Sequence, residues 1–197
     1  MADVKIVELQ VKTNIDGATQ NIGKLKSGLK DAIRAAYGKT VNKPEFREMA
    51  PFSFYDFVNN RTVSGNPALK NADIDNFDFR YEFYPSPSEL ISIAAFYKDF
   101  TNPIEVVFAS GANPLLNFSN AKSAYSTGLE AEIRKNLGAN SPNSILGRTS
   151  LVLNGTYIYS RVKLDEKLAA DQSDNRPLQG QSPYIINAGI NFNDAQK

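Results

Sequence analysis

Asn76-Phe77-Asp78-Phe79-Arg80-Tyr81-Glu82-Phe83 places an aromatic ring at every odd position and a polar or charged side chain at every even one. Successive side chains of a β-strand leave opposite faces, so a period of two marks a strand with one apolar and one polar surface. A packed helix, with its period of 3.6, does not read this way. Working outward, five more segments repeat the alternation. Residues 32–41 set Ile33, Ala35 and Tyr37 against Arg34, Ala36 and Gly38. Residues 90–100 set Ile91, Ile93, Ala95 and Tyr97 against Ser92, Ala94, Phe96 and Lys98, and the pattern continues past Pro103 to Phe108. Residues 125–133 set Tyr125, Thr127, Leu129 and Ala131 against Ser126, Gly128, Glu130 and Glu132. Residues 151–159 and 184–192 complete the set, with Leu151, Leu153, Tyr157, Tyr184, Ile186 and Ile190 on one face and Asn154, Thr156, Asn187 and Asn191 on the other.

The fold class is therefore all-β. Segments of about nine to eleven residues have the length of a tilted strand crossing an outer membrane. The connections also alternate in length, with long ones near 42–72, 109–122 and 165–182 and shorter ones at 85–88 and 138–148. Short turns on one side and long loops on the other are the rhythm of a transmembrane barrel. The expectation is an antiparallel up-and-down meander of about six long strands, forming part of a barrel. Alternation alone also fits a soluble β-sandwich whose aromatic faces pack against each other.

The first residues behave differently. Residues 1–43 carry 8 Lys+Arg against 4 Asp+Glu, whereas the rest carries 14 against 17. Val7, Leu9 and Val11 predict a short strand, and Ile15, Ala18, Ile22, Leu25, Leu29 and Ile33 step at helical spacing. The helix and strand readings overlap at residues 32–37, where the strand is preferred. Residues 1–30 are thus expected to be a separate strand-plus-helix extension, and residues 31–197 the β portion.

Composition excludes several functions. The chain has 197 residues, 22 Lys+Arg, 21 Asp+Glu, no Cys, no His and no Trp. One domain is expected at this length. A net charge of +1 without a basic run gives no phosphate-tracking surface, so nucleic acid is not an expected partner. Without His or Cys, Ser-His, Cys-His and zinc-hydrolase chemistry have no residues to run on. Glu130 and Glu132 share a strand face with Arg134 and read as a polar row rather than an acid/base pair, and Asp73, Asp75 and Asp78 lack the Gly and terminal Glu of a Ca²⁺ loop. No catalytic residue, metal or cofactor is expected. The N-terminus has a charge every few residues and no apolar core, so it does not read as a secretory signal.

Several strings together resemble the C-terminal barrel of TonB-dependent outer-membrane receptors: RAAYGKTVNKPEFREMAPFSFYDF, GNPALKNADIDNFDFRYEFYPSPSELISIAAFYKDFTNPIE, STGLEAEIRKNLG, NGTYIYSR and QGQSPYIINAGINF. They cover about four-fifths of the chain, and residues 1–30 stand outside the likeness. The resemblance implies a transporter rather than an enzyme, set in outer-membrane lipid, taking up a scarce siderophore, glycan or similar small ligand and engaging TonB through a plug. The expectation is a truncated or chimeric frame, because no plug, signal or aromatic-ended closing strand is recognised, and six strands do not close so wide a barrel.

The resemblance assigns Phe77, Phe79, Tyr81, Phe83, Ile91, Ile93, Tyr157, Ile186 and Ile190 to lipid, and Asp78, Arg80, Glu82, Glu130, Glu132, Asn154 and Asn187 to the lumen. In the long connection at 44–61, Arg47, Phe54, Tyr55, Asn59, Asn60 and Arg61 mix rings, amides and cations. These could stack on and hydrogen-bond a sugar or chelate, although packing between loops explains the rings as well.

Overall fold

A computed structural model describes residues 9–11, 31–58, 60–109, 115–138, 144–165, 173 and 176–193. In chain order its elements are β1 (Leu9–Val11), β2 (Asp31–Asn42), α1 (Phe46–Met49), β3 (Ser53–Asp56), β4 (Arg61–Ser64), β5 (Ala72–Phe83), β6 (Leu90–Thr101), β7 (Ile104–Ala109), β8 (Leu115–Asn120), β9 (Ser123–Asn136), β10 (Thr149–Lys163) and β11 (Tyr184–Phe192). The expected helix falls mostly outside the described residues, and Asp31, Ala32 and Ile33 lie in β2.

Seven strands form one antiparallel sheet in the order β1-β2-β5-β6-β9-β10-β11. The six long strands are the six alternating segments, and they meander as expected, each pairing with the next one of the set. Register carries the alternation from strand to strand. Tyr81 lies opposite Ile33 and Ile93, Ile93 opposite Ala131, Ala131 opposite Gly155, and Gly155 opposite Ile186. One residue further along β5, Glu82 lies opposite Ala32 and Ser92, Ser92 opposite Glu132, Glu132 opposite Asn154, and Asn154 opposite Asn187. Because paired residues share a face, the sheet keeps one apolar and one polar surface across all six strands. The sheet is an open wall, and the outer edge of β11 has no partner strand among the described residues.

Connections sort by length. At one end, residues 84–89 and 137–148 join β5 to β6 and β9 to β10; at the other lie 43–71, 102–122 and 164–183. Two of the long connections fold rather than loop. Residues 104–108, expected to continue β6 beyond an interruption at Pro103, do so as β7: the register that sets Thr101 opposite Ser123 runs on to set Ile104 opposite Asn120. Asn102, at φ 54, takes the left-handed conformation that interrupts the strand just before Pro103. β7 pairs with β8, β8 runs parallel to β4, and β4 pairs with β3, giving a four-stranded sheet in the order β3-β4-β8-β7.

This second sheet is tied down at a point of very close approach. A Cβ on Gly65 would overlap the backbone of Ala50, so only glycine lets β4 lie against the segment after α1. The buried apolar cluster of Val107, Ala121, Ala124, Val162 and Leu164, with Phe100 and Leu178 packed on it, sits where the second sheet meets the polar face of the large one.

Candidate functional site

The large sheet is inside-out relative to a soluble protein. Phe79 is 50% exposed, Ile93 58% and Ile186 77%, whereas Glu82 is 2% and Ser92 3% exposed. No second layer covers the aromatic face among the described residues, so the sandwich alternative loses its premise. Soluble proteins rarely leave so broad an apolar surface open.

The chemistry of this face changes with height. Tyr37, Phe77, Tyr97, Tyr125 and Tyr159 form a ring ladder across five strands, with centroids 4.9, 6.4, 6.3 and 6.2 Å apart. Beyond the ladder, towards the long connections, the same face carries Lys39, Asp73, Asp75 and Arg161; towards the short ones it carries only uncharged residues until Asp31 and Lys135. Tyrosine hydroxyls mark both borders: Tyr37 donates to Asp75 at 2.6 Å and Tyr81 to Asp31 at 2.6 Å. From the ring of Tyr159 to the level of Thr149 and Phe192 the strand runs about 33 Å, or roughly 23 Å of height at a 45° tilt, close to the apolar band of a membrane barrel.

The opposite face holds a chain of alternating charges. Arg34 Nη1 meets Glu82 Oε1 at 2.9 Å, Arg80 Nε meets the same oxygen at 2.8 Å, Arg80 Nη2 meets Glu132 Oε2 at 3.0 Å, and Arg134 Nη2 meets Glu132 Oε1 at 3.1 Å. Asn187 donates to Asn154 at 2.8 Å in the next strand pair. Of the residues expected on this face, Arg80, Glu82 and Glu132 belong to the chain of charges, Asn154 and Asn187 form a separate hydrogen-bonded pair, and Asp78 and Glu130 share the face without a place in either.

The loop residues divide. Arg47, Phe54 and Arg61 line one cleft of about 340 Å³ on the second sheet, with Glu45, Glu48 and Phe118. The Arg47 guanidinium lies 4.0 Å from the centre of the Phe54 ring, a cation–π contact that holds its charge at the cleft wall. Tyr55 leaves the other side of β3, stacks edge-on with Phe57 and donates to Asn60, so neither it nor Asn60 lines the cleft. Asn59 lies outside the described residues.

Gln179 and Val106 complete the cleft wall, and the sequence reading missed both. The segment that carries Gln179, residues 176–181, is fixed across the polar face. Leu178 N–H donates to Ser160 Oγ at 3.0 Å, Gln181 Nε2 to Ser126 Oγ at 3.0 Å, and Arg176 pairs with Glu105 at 2.8 Å. Burial pushes the Glu105 carboxyl above the usual range, against the pull of Arg176. No local pattern announces a contact between residues 71 apart; only a lone Glu amid the apolar alternation of β7 hinted that something must meet it.

A wall of long antiparallel strands, apolar on one face, charged on the other and banded by rings, is the geometry of a transmembrane barrel wall. The family model "TonB dependent receptor-like, beta-barrel" matches residues 23–196. The chain belongs to the TonB-dependent receptor β-barrel family. The receptors of this family are outer-membrane proteins, and they are transporters rather than enzymes.

Solved TonB-dependent receptors share the fold. The ferric enterobactin receptor of Pseudomonas aeruginosa superposes with a TM-score of 0.56 at 18% identity, over 83% of this chain and 24% of that one. A siderophore receptor of Acinetobacter baumannii gives 0.54 at 16%, over 84% and 25%. The hemophore receptor of Serratia marcescens, solved with its hemophore and heme, gives 0.56 at 13%, over 81% and 25%. The chain thus spans about a quarter of the length of these receptors. No curated protein matches it.

Proposed function

We propose that this chain is a wall segment of a TonB-dependent receptor that takes up a scarce small ligand, a metal chelate, haem or glycan, across the outer membrane. The inside-out sheet is the observation that carries the reading. Phe77, Phe79, Tyr81, Phe83, Ile91, Ile93, Tyr157, Ile186 and Ile190 face lipid in this reading. Asp78, Arg80, Glu82, Glu130, Glu132, Asn154 and Asn187 face the lumen. The ring ladder lies at the outer interface, because the long connections belong outside and the short turns in the periplasm.

The outer cleft receives the ligand. Arg47 and Arg61 supply cations and Phe54 a stacking face, a combination that suits an anionic, aromatic-rich chelate. Residues 1–30 are an extension of the β portion, joined to it where β1 pairs with the edge of β2, and the family match takes in its last residues from 23 on. The parent protein couples uptake to TonB through a plug, so the energy for transport enters outside this segment.

Uptake of labelled iron from catecholate and hydroxamate siderophores and from haem, in receptor-deleted cells carrying a complete receptor with this segment, tests the reading. TonB-dependent uptake of one of these, weakened by Arg47→Ala and Arg61→Ala together, is expected. Uptake indifferent to TonB, or indifferent to both arginines, would overturn it.

A further inference from the structure

A second cleft, of about 370 Å³, opens on the inner face of the wall, lined by Ala72, Ile74, Phe100 and Gln181 among others. Gln179 borders both clefts; Val106 borders the outer one, and Ile104 and Glu105 the inner one. Thin structure therefore separates the two spaces: the start of β7 and the segment 176–181. Four contacts join those pieces, one of them the Gln179 N–H donating to the Glu105 carboxylate. Arg176 Nη1 lies 2.8 Å from Glu105 Oε2, Arg176 Nη2 donates to the Val106 carbonyl at 3.3 Å, and Val106 N–H donates to Gln179 Oε1 at 3.2 Å. The Glu105 side chain is 3% exposed and that of Arg176 25%, so the pair is sheltered on one side and open to water on the other.

We propose that residues 176–181 form a latched partition between the two clefts, with the Arg176–Glu105 pair as the latch. Removing one member of a sheltered ion pair leaves the other charge without compensation. Arg176, the more exposed member, escapes this cost by moving its strand of chain towards water. The other anchors are uncharged: Leu178 N–H to Ser160, Gln181 to Ser126 and Val162 N–H to the Arg176 carbonyl at 2.9 Å are neutral hydrogen bonds of modest net strength, and Leu178 packs on the buried cluster. Once the latch is broken, the segment lifts and the outer cleft becomes continuous with the inner face. The latch rests on the ligand reading of the outer cleft only for its purpose, and the test below contains no ligand, so the two stand or fall separately.

The chain has no Cys, so a single introduced thiol reports on the partition. Ser126 is 1% exposed beneath the segment, while Ser92, 3% exposed on the same face, lies towards the short turns and away from it. Ser126→Cys and Ser92→Cys are made in the full chain in detergent and timed with a water-soluble maleimide. Glu105→Gln or Arg176→Gln is expected to speed labelling at 126 by about tenfold or more and to leave 92 unchanged, since local opening exposes only what it covers. The double variant is expected to go no faster than the faster single one, because both substitutions break one contact. Unchanged labelling at 126 in both single variants, an equal rise at 92, or additive effects in the double variant would overturn the latch.

Discussion

Arg80 turns its guanidinium to the carboxylate of Glu82, two residues along the same strand face, with Nε 2.8 Å from an oxygen whose side chain is 3% exposed. Glu82 also holds Arg34 at 2.9 Å, so one sheltered carboxylate neutralises two cations on adjacent strands. Glu82→Ala is expected to destabilise the folded wall by about 1 to 3 kcal/mol, because it takes the carboxylate from Arg34 and leaves Arg80 with Glu132 alone. Lys39→Ala, which removes the exposed pair with Asp75, is expected to cost less than about 1 kcal/mol. Urea-dependent unfolding in detergent or lipid measures both, and equal costs would show that the charge chain does not act as a unit.

The two faces of β5 predict a rhythm. Phe79→Arg is expected to cost about 2 to 4 kcal/mol if Phe79 lies near the midplane, and Asp78→Asn far less. Single cysteines at positions 77 to 82 of a complete receptor are expected to be quenched by lipid-borne quenchers at 77, 79 and 81 and spared at 78, 80 and 82. A membrane-inserted receptor without that period of two would refute the assignment of faces.

Two glycines of the wall are expected to behave in opposite ways. A Cβ at Gly128 would meet the Phe96 ring at 2.5 Å and the Tyr157 carbonyl at 2.5 Å, whereas one at Gly155 meets nothing within 4 Å. Gly128→Ala is expected to destabilise by about 1 to 3 kcal/mol through overpacking. Gly155→Ala is expected to be neutral or slightly stabilising, since a methyl group replaces bare backbone on the apolar face. Comparing the two unfolding midpoints checks this.

Glu89, in the short connection before β6, is paired with Lys135 at 2.8 Å, and that contact holds its carboxyl below the usual range. With the folded value depressed, Glu89 contributes stability above its unfolded pKa of about 4.3. The contribution fades as pH falls through the folded value. Stability of the wild-type chain is therefore expected to drop more steeply than that of Glu89→Gln on acidification below about pH 4.3. Parallel profiles would dismiss the pair.

Legibility in the sequence followed contrast between faces. β5 was readable because Phe77, Phe79 and Tyr81 differ from Asp78, Arg80 and Glu82 in every physical respect, and the neighbouring strands inherit the pattern through register. β7 was readable for a related reason. Ile104, Val106 and Phe108 continue the parity of Phe96 and Phe100 across the interruption at Asn102 and Pro103, and the pairing with the returning strand keeps its register there. β3, β4 and β8 are too short to show a period. Of the cleft, Arg47, Phe54 and Arg61 were found by residue type, whereas Val106 and Gln179 were placed by tertiary contacts with no local signature.

The parallel pairing of β4 with β8 fastens together two excursions that are far apart in the chain. Asn120 strengthens the seam, accepting from Lys70 N–H at 2.8 Å and donating to the Lys70 carbonyl at 2.9 Å and the Asn102 carbonyl at 2.8 Å. The described parts of residues 43–71 and 102–122 are therefore fastened to each other, and a push on one is expected to displace the other. Anyone transplanting a recognition loop from another receptor into this scaffold has to exchange both excursions at once, because half of the graft would arrive without the strand it leans on.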